Sequence, residues 1–185
     1  GKGKELKQMR IWEKEARNLF NSGIHCAESI LMVVSAHLNV QSELIPKIAT
    51  GLCSGMGRTS GMCGAVSGGI LALSVALGRE AGKGDSEVNY KAVQELQKQF
   101  TERFGSTNCG ELLGCHLGTD EGMARFKTEG MRTQCEDYTG VATELVMIIL
   151  EEGQSANGRS FDQSSRIRLS PPARIKLFFS SLIKK

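Results

Sequence analysis

Apolar positions along this chain recur mainly at helical spacing. Leu6–Phe20 is built from good helix formers and meets a stop at Asn21-Ser-Gly23, which predicts a first helix. Ile24–Leu38 carries Ala27, Ile30, Leu31, Val34 and Leu38 on one face of period 3.6 and predicts a second. Ser42 is a suitable N-cap for a third, running through Pro46 to about Thr50. Further helices are expected over Gly64–Leu77, over Ser86–Phe104 with Val93, Leu96, Phe100 and Phe104 in register, and over the short span Cys109–Leu113. Glu136–Leu150 gives the clearest pattern, with Tyr138, Val141, Ala142, Leu145, Val146 and Ile149 on one stripe. Residues 116–134 fit no single pattern. Sustained alternation of period two is missing, so the expected class is all-α: a helical bundle with a Gly-rich loop leading into a small-residue helix.

That loop stands out by composition. Ten glycines fall among the 34 residues Gly51–Gly84. Glycine at this density makes a helix costly, so Gly51–Gly61 is expected to be irregular. The start of the helix that follows is nearly all small: Gly64, Ala65, Ser67, Gly68 and Gly69. Such a face lets another backbone or a bulky group come close, and Gly64, Ala65 and Gly68 are the expected cofactor-side positions. The run Gly51–Arg58 lacks the G-x-x-x-x-G-K-[ST] pattern and belongs to no β-α-β unit, which sets a phosphate-binding reading aside.

With 40% hydrophobic and 23% charged residues in 185, wholesale disorder is excluded. Aromatics are only 5%, so aliphatic side chains must fill the core. The net charge of +3 divides unevenly. Residues 1–152 hold 16 Lys and Arg against 19 Asp and Glu, while residues 153–185 hold 7 against 1. The chain therefore reads as a helical, cysteine-containing domain over 1–152 and a basic tail over 153–185. The tail contains Pro171-Pro172 and a basic amphipathic stretch, Ile175–Lys185, with Phe178 and Phe179. It suits either a surface anchor for a membrane or acidic partner, or, more plainly, a flexible extension unrelated to the fold. The apolar runs Ile70–Leu77 and Leu145–Leu150 are far short of the ~20 residues a bilayer requires, so no transmembrane segment is expected. No apolar stretch follows Gly1-Lys-Gly-Lys, and a cytoplasmic location is the expectation. Nothing points to nucleic acid.

Six cysteines need a chemical explanation: Cys26, Cys53, Cys63, Cys109, Cys115 and Cys135. None forms a C-x-x-C pair, and C-x-x-C-H is missing, which removes the simple zinc, thioredoxin-like and covalent haem spacings. Cys26, Cys63, Cys109 and Cys135 fall in the first turn of an expected helix. There, unpaired backbone N–H groups and the positive end of the dipole favour a thiolate, the form that attacks disulfides and binds metals. Buried cysteines that act as small hydrophobes are the plainer reading, and Cys53 and Cys115 are assigned to it. His25 could tune Cys26, but it, His37 and His116 read more simply as structural or surface residues. Met56, Met62, Met123 and Met131 read as packing.

At these residues the chain resembles the redox-active protein family named for a C-GCAxxG-C-C pattern. Phe20–Ser29, containing Cys26, is similar to its first cysteine segment, and Ala49–Arg58 to its Gly-rich stretch. Cys63-Gly64-Ala65-Val66-Ser67-Gly68 matches its CGAxxG core, Phe104–Leu113 resembles its third cysteine segment, and Cys135 supplies the fourth. The likeness spans roughly residues 19–152 and leaves out the tail. It implies that Cys26, Cys63, Cys109 and Cys135 are the functional cysteines and that Cys53 and Cys115 are extra. A related helical domain occurs in split-Soret cytochromes, which carry an iron–sulfur centre as well as haems. The chain has no haem-attachment motif, so that kinship implies a cysteine-bound iron–sulfur cluster without haem.

The expected function is thus redox work at four cysteines that converge on one site. They would act either as ligands of an iron–sulfur cluster for electron transfer or as thiols in disulfide exchange with a redox partner protein. Two other classes stand beside it: a metal-binding accessory module holding zinc through the same four cysteines, and a helical interaction domain with inert cysteines. A homo-oligomer is compatible with each, and none specifies an organic substrate.

Overall fold

Helix α2 (Cys26–His37) is apolar almost all round, and every residue from Ala27 to Ser35 is buried. A helix of that composition has no solvent face and must be surrounded. Its neighbours are α1 (Lys2–Asn21), α4 (Gly64–Leu77) and α8 (Arg132–Ala156). The last two also pack on one another, and α5 (Glu87–Phe104) closes against both. Two short helices, α6 (Cys109–Leu113) and α7 (Asp120–Thr128), lead from α5 to α8. The computed structural model describes residues 2–80 and 82–156. Among them the protein is all-α, with isolated β-bridges and no strand.

The core is aliphatic, as the scarcity of aromatics requires. Ile30, Leu31 and Val34 of α2 share one cluster with Val66 and Leu73 of α4, Leu96 of α5, and Val146 and Met147 of α8, all fully buried. Each such side chain contributes roughly 1.5–3 kcal/mol by leaving water. One aromatic cluster interrupts this pattern: Phe104 lies 4.8 Å from both Phe100 and Tyr138, ring centre to ring centre. It packs the end of α5 onto the start of α8.

The small residues of α4 do what their size allows. A Cβ on Gly68 would lie 2.5 Å from the Cα of Ala27, so α2 and α4 touch backbone to backbone. Gly140 does the same for a side chain, making room for the Arg17 guanidinium, which binds Glu13 at 2.6 Å and Asp137 at 2.7 Å and ties α1 to α8. At the other end, Arg132 donates to the Phe20 carbonyl, which also accepts the Gly23 N–H at 3.2 Å, and lies over the Phe20 ring.

Several elements differ from the sequence reading. The helix expected after Ser42 is instead a turn, in which Ser42 Oγ accepts the Leu44 N–H, followed by a 3-10 helix over Lys47–Leu52. The stretch expected to be irregular contains α3 (Cys53–Arg58), whose residues Ser54, Gly55, Met56 and Gly57 all have positive φ, so the turn is left-handed. The ambiguous region contains α7, capped by Thr119, whose hydroxyl accepts the Gly122 N–H. Helix α8 runs through Ala156, past the division placed at 152/153. The remainder of the predicted tail, with Pro171, Phe178 and Phe179, lies outside the described residues.

Candidate functional site

Two chain segments that begin helices are stitched side by side. Met62 and Asn108 form an antiparallel bridge. The Cys63 N–H donates to the Thr107 carbonyl at 2.7 Å, and the Cys109 N–H donates to the Gly61 carbonyl at 2.8 Å. Asn108 serves both sides. Its amide donates to the Ser60 carbonyl at 2.7 Å, and its side-chain oxygen caps α6 by accepting the Glu111 N–H at 3.0 Å. The result places Cys63, the N-cap of α4, beside Cys109, the first residue of α6.

Cys135 joins them from the first turn of α8. Its thiol feels the charges of Cys63, Cys109 and Cys115, and burial pushes it up to about 12. Cys115, assigned to packing from the sequence, has its sulfur 3.6 Å from that of Met131. Tyr138, one turn beyond Cys135, has its hydroxyl 3.4 Å from both the Leu112 carbonyl and Gln134 Oε1. Burial and the charges of Cys135, Cys63 and Cys109 push that phenol up. Sequence reasoning used Tyr138 only as a core position. Its spacing of three from Cys135 was the available signal.

Cys26 is placed differently. It opens α2, half-exposed, and its sulfur lies against Gly64, where any Cβ would collide with it. Its partner is Cys53, which is buried at the junction of the 3-10 helix and α3. A Cβ on Gly64 would meet both the Cys26 sulfur and the Cys53 Cα, so the two cysteines close on the same spot. The backbone N–H groups of Ala27 and Glu28 pull the Cys53 thiol down, against its overall rise. The Cys53 thiol donates weakly to the Ala49 carbonyl at 3.5 Å. Cys53 is the residue that the sequence reading missed most clearly. It is 27 positions from Cys26, and no local pattern links them.

At three of the expected helix-start cysteines, Cys63, Cys109 and Cys135, burial favours the thiol over the thiolate. Cys63 faces the N–H groups of Ala65 and Val66, yet burial outweighs them and pushes its thiol up to about 11. Cys109 is raised by burial and then by Cys115. Cys53 is raised by its contact with Cys26 and by burial, against the pull of the two α2 amides. Being out of water costs the charged form more than helix-end donors return.

Of the other candidates, Gly64 and Gly68 have their close contacts with α2, at Cys26 and Ala27, and Ala65 is fully buried between the helices. His37 packs edge-on against Trp12, with ring centres 4.8 Å apart. The His116 ring accepts the Gly118 N–H at 3.0 Å. Among the described residues, no group of three or more His, Cys, Asp or Glu is arranged to hold a metal ion.

The model of one protein family, described as "Putative redox-active protein (C_GCAxxG_C_C)", matches residues 24–149, more than half of the chain. This chain belongs to that family. No curated protein and no solved structure matches it. The C_GCAxxG_C_C match starts two residues before Cys26 and ends inside α8, so it takes in all six cysteines and omits α1 entirely. Its CGAxxG core has a structural account here. Cys63 caps α4, Gly64 makes room for the Cys26 sulfur, and Gly68 lets α2 approach. Among the described residues, no helix is long and apolar enough to cross a membrane.

Proposed function

We propose that the protein is a dithiol–disulfide redox protein in which Cys26 and Cys53 are the working pair. The observation that carries this reading is that the Cys26 sulfur and the Cys53 backbone close on the same side of Gly64, where a Cβ would meet both. Cys26 is partly exposed and Cys53 is buried, so the first contact with a partner is assigned to Cys26.

The exchange runs against a disulfide of a partner molecule. The Cys26 thiolate attacks one sulfur of that disulfide, a Cys26–partner mixed disulfide forms, and the other partner sulfur leaves as thiolate. Cys53 then gives up its proton and attacks the Cys26 sulfur. A Cys26–Cys53 disulfide forms and the second partner sulfur leaves. Two electrons and two protons pass to the partner, which becomes a dithiol, and a dithiol reductant returns the protein to its starting state. The N–H groups of Ala27 and Glu28 stabilise the charge on Cys53 as its proton leaves.

Trapping tests this order. With oxidised glutathione as the disulfide, Cys53→Ser should accumulate glutathione on Cys26, whereas Cys26→Ser should accumulate none on Cys53. Equal labelling of both variants would remove the assigned order. Stoichiometric iron and sulfide in anaerobically purified protein, lost on Cys26→Ser and kept on Cys53→Ser, would replace the dithiol reading with a four-cysteine cluster.

A further inference from the structure

We infer that Glu28 is a positioning residue, clasping together the two chain segments that carry Cys26 and Cys53. The inference rests on the dithiol reading above and deepens it.

Glu28 lies two residues after Cys26 and is 9% exposed, unusual burial for a carboxylate. Its two oxygens are used in opposite directions. Oε2 accepts the His25 N–H at 3.0 Å, which closes the start of α2 around Cys26. Oε1 accepts the Thr50 hydroxyl at 2.6 Å, from the 3-10 helix whose last residue, Leu52, directly precedes Cys53. The Glu28 backbone N–H also pulls the Cys53 thiol down, against its overall rise. One residue thus holds both segments, and the side-chain bond spans 22 positions of sequence.

The consequence is chemical. Closing a disulfide within one chain depends on the effective concentration of one sulfur at the other, which falls steeply when the two supports move independently. The short Thr50–Glu28 bond fixes their separation. Without it the dithiol keeps its thiols, but the disulfide loses part of its advantage.

The test equilibrates the full-length wild-type protein, Thr50→Val, Thr50→Ser and Glu28→Gln in glutathione redox buffers. The Cys26–Cys53 disulfide is read by alkylation and peptide mass mapping. Thr50 is exposed, so Thr50→Val leaves the core intact. Thr143→Val is the control: it removes a buried hydroxyl that donates to the Thr139 carbonyl at 2.8 Å and touches neither sulfur. Thr50→Val should lower the equilibrium constant for disulfide formation about tenfold, making the potential about 30 mV less negative. Glu28→Gln, which has one acceptor oxygen for two donors, should move it the same way. Thr50→Ser should restore the wild-type value, and Thr143→Val should retain it. If the disulfide forms and Thr50→Val leaves its potential unchanged, the clasp is wrong and the dithiol reading stands. If Thr143→Val shifts it as far as Thr50→Val, the effect is general loosening and the clasp is again wrong. If the wild-type protein forms no Cys26–Cys53 disulfide in any buffer, both fall.

Discussion

Gly55 lies directly against Cys109: a Cβ at Gly55 would fall 2.5 Å from the Cys109 Cβ and 2.9 Å from its sulfur. The contact depends on the left-handed turn Ser54–Gly57, in which Gly55 has φ +67°. The Gly55 carbonyl accepts the N–H groups of Thr59 and Gly61, so the turn leads straight into the bridge that sets Cys63 beside Cys109. Gly55→Ala meets two penalties together, a left-handed backbone and a displaced cysteine. It should cost about 2–4 kcal/mol in denaturant unfolding. It should also make Cys109 react faster with iodoacetamide in the folded protein. Unchanged stability and reactivity would mean that the turn does not support Cys109.

The seam between α2 and α4 gives glycine a second, different use. Gly68→Ala puts a methyl group into the Ala27 backbone and should cost about 1–3 kcal/mol. Gly153→Ala, in α8 with open space around it, should instead stabilise by about 0.5–1 kcal/mol through helix propensity. Opposite signs in thermal unfolding are the expected result. A common sign would mean that packing does not govern the CGAxxG glycine.

Alkaline pH should unfold the protein earlier than its other groups require. Burial raises Cys63 to about 11 and Cys135 to about 12, while unfolded thiols titrate near 8.5. Above pH ~8.5 the unfolded chain releases protons that the folded chain keeps, so stability falls with rising pH. The contribution is fully present below that pH and is lost through the folded values, with a slope near 1.4 kcal/mol per pH unit for Cys63 and a further contribution of the same sign from Cys135. Urea titrations between pH 7 and 10 check this, and Cys63→Ala should flatten the curve.

Ser35 supplies a stability test away from the thiols. Its Oγ is buried in α2 without a hydrogen-bond partner. An unpaired buried hydroxyl costs about 1–3 kcal/mol, so Ser35→Ala should be neutral or stabilising. A marked loss in melting temperature would show that the oxygen has a partner.

Local signals made some of this architecture legible. The bounds of α4 and α6 follow from what lies beside them: Cys63 and Asn108 occupy N-cap positions, and apolar spacing begins at once. The long apolar stripe from Tyr138 to Ile149 placed most of α8 for the same reason. Where the deciding contact is distant in sequence, the reading stopped. The left-handed turn gains its support from Cys109, and glycines at 55 and 57 look from sequence like any flexible loop. Cys53 comes to lie by Cys26 across Gly64, a position in another segment. For α7 the signals were local, with Thr119 before Asp120-Glu121 and Arg125 and Lys127 in the last turn, but its apolar face is too narrow to stand out. At Cys63, Cys109 and Cys135 burial outweighs the helix start, because position along a helix is visible in sequence and depth of burial is not.

The most direct measurement is a peptide map of the wild-type protein oxidised by glutathione disulfide, quenched with alkylating agent and digested without reductant. The account predicts one dominant cross-linked species joining the Cys26 and Cys53 peptides, lighter by two hydrogens. Cys63, Cys109, Cys115 and Cys135 should be alkylated once the protein is denatured. A map with Cys26 and Cys53 free and a disulfide between Cys63 and Cys109, or with no disulfide formed, would contradict it.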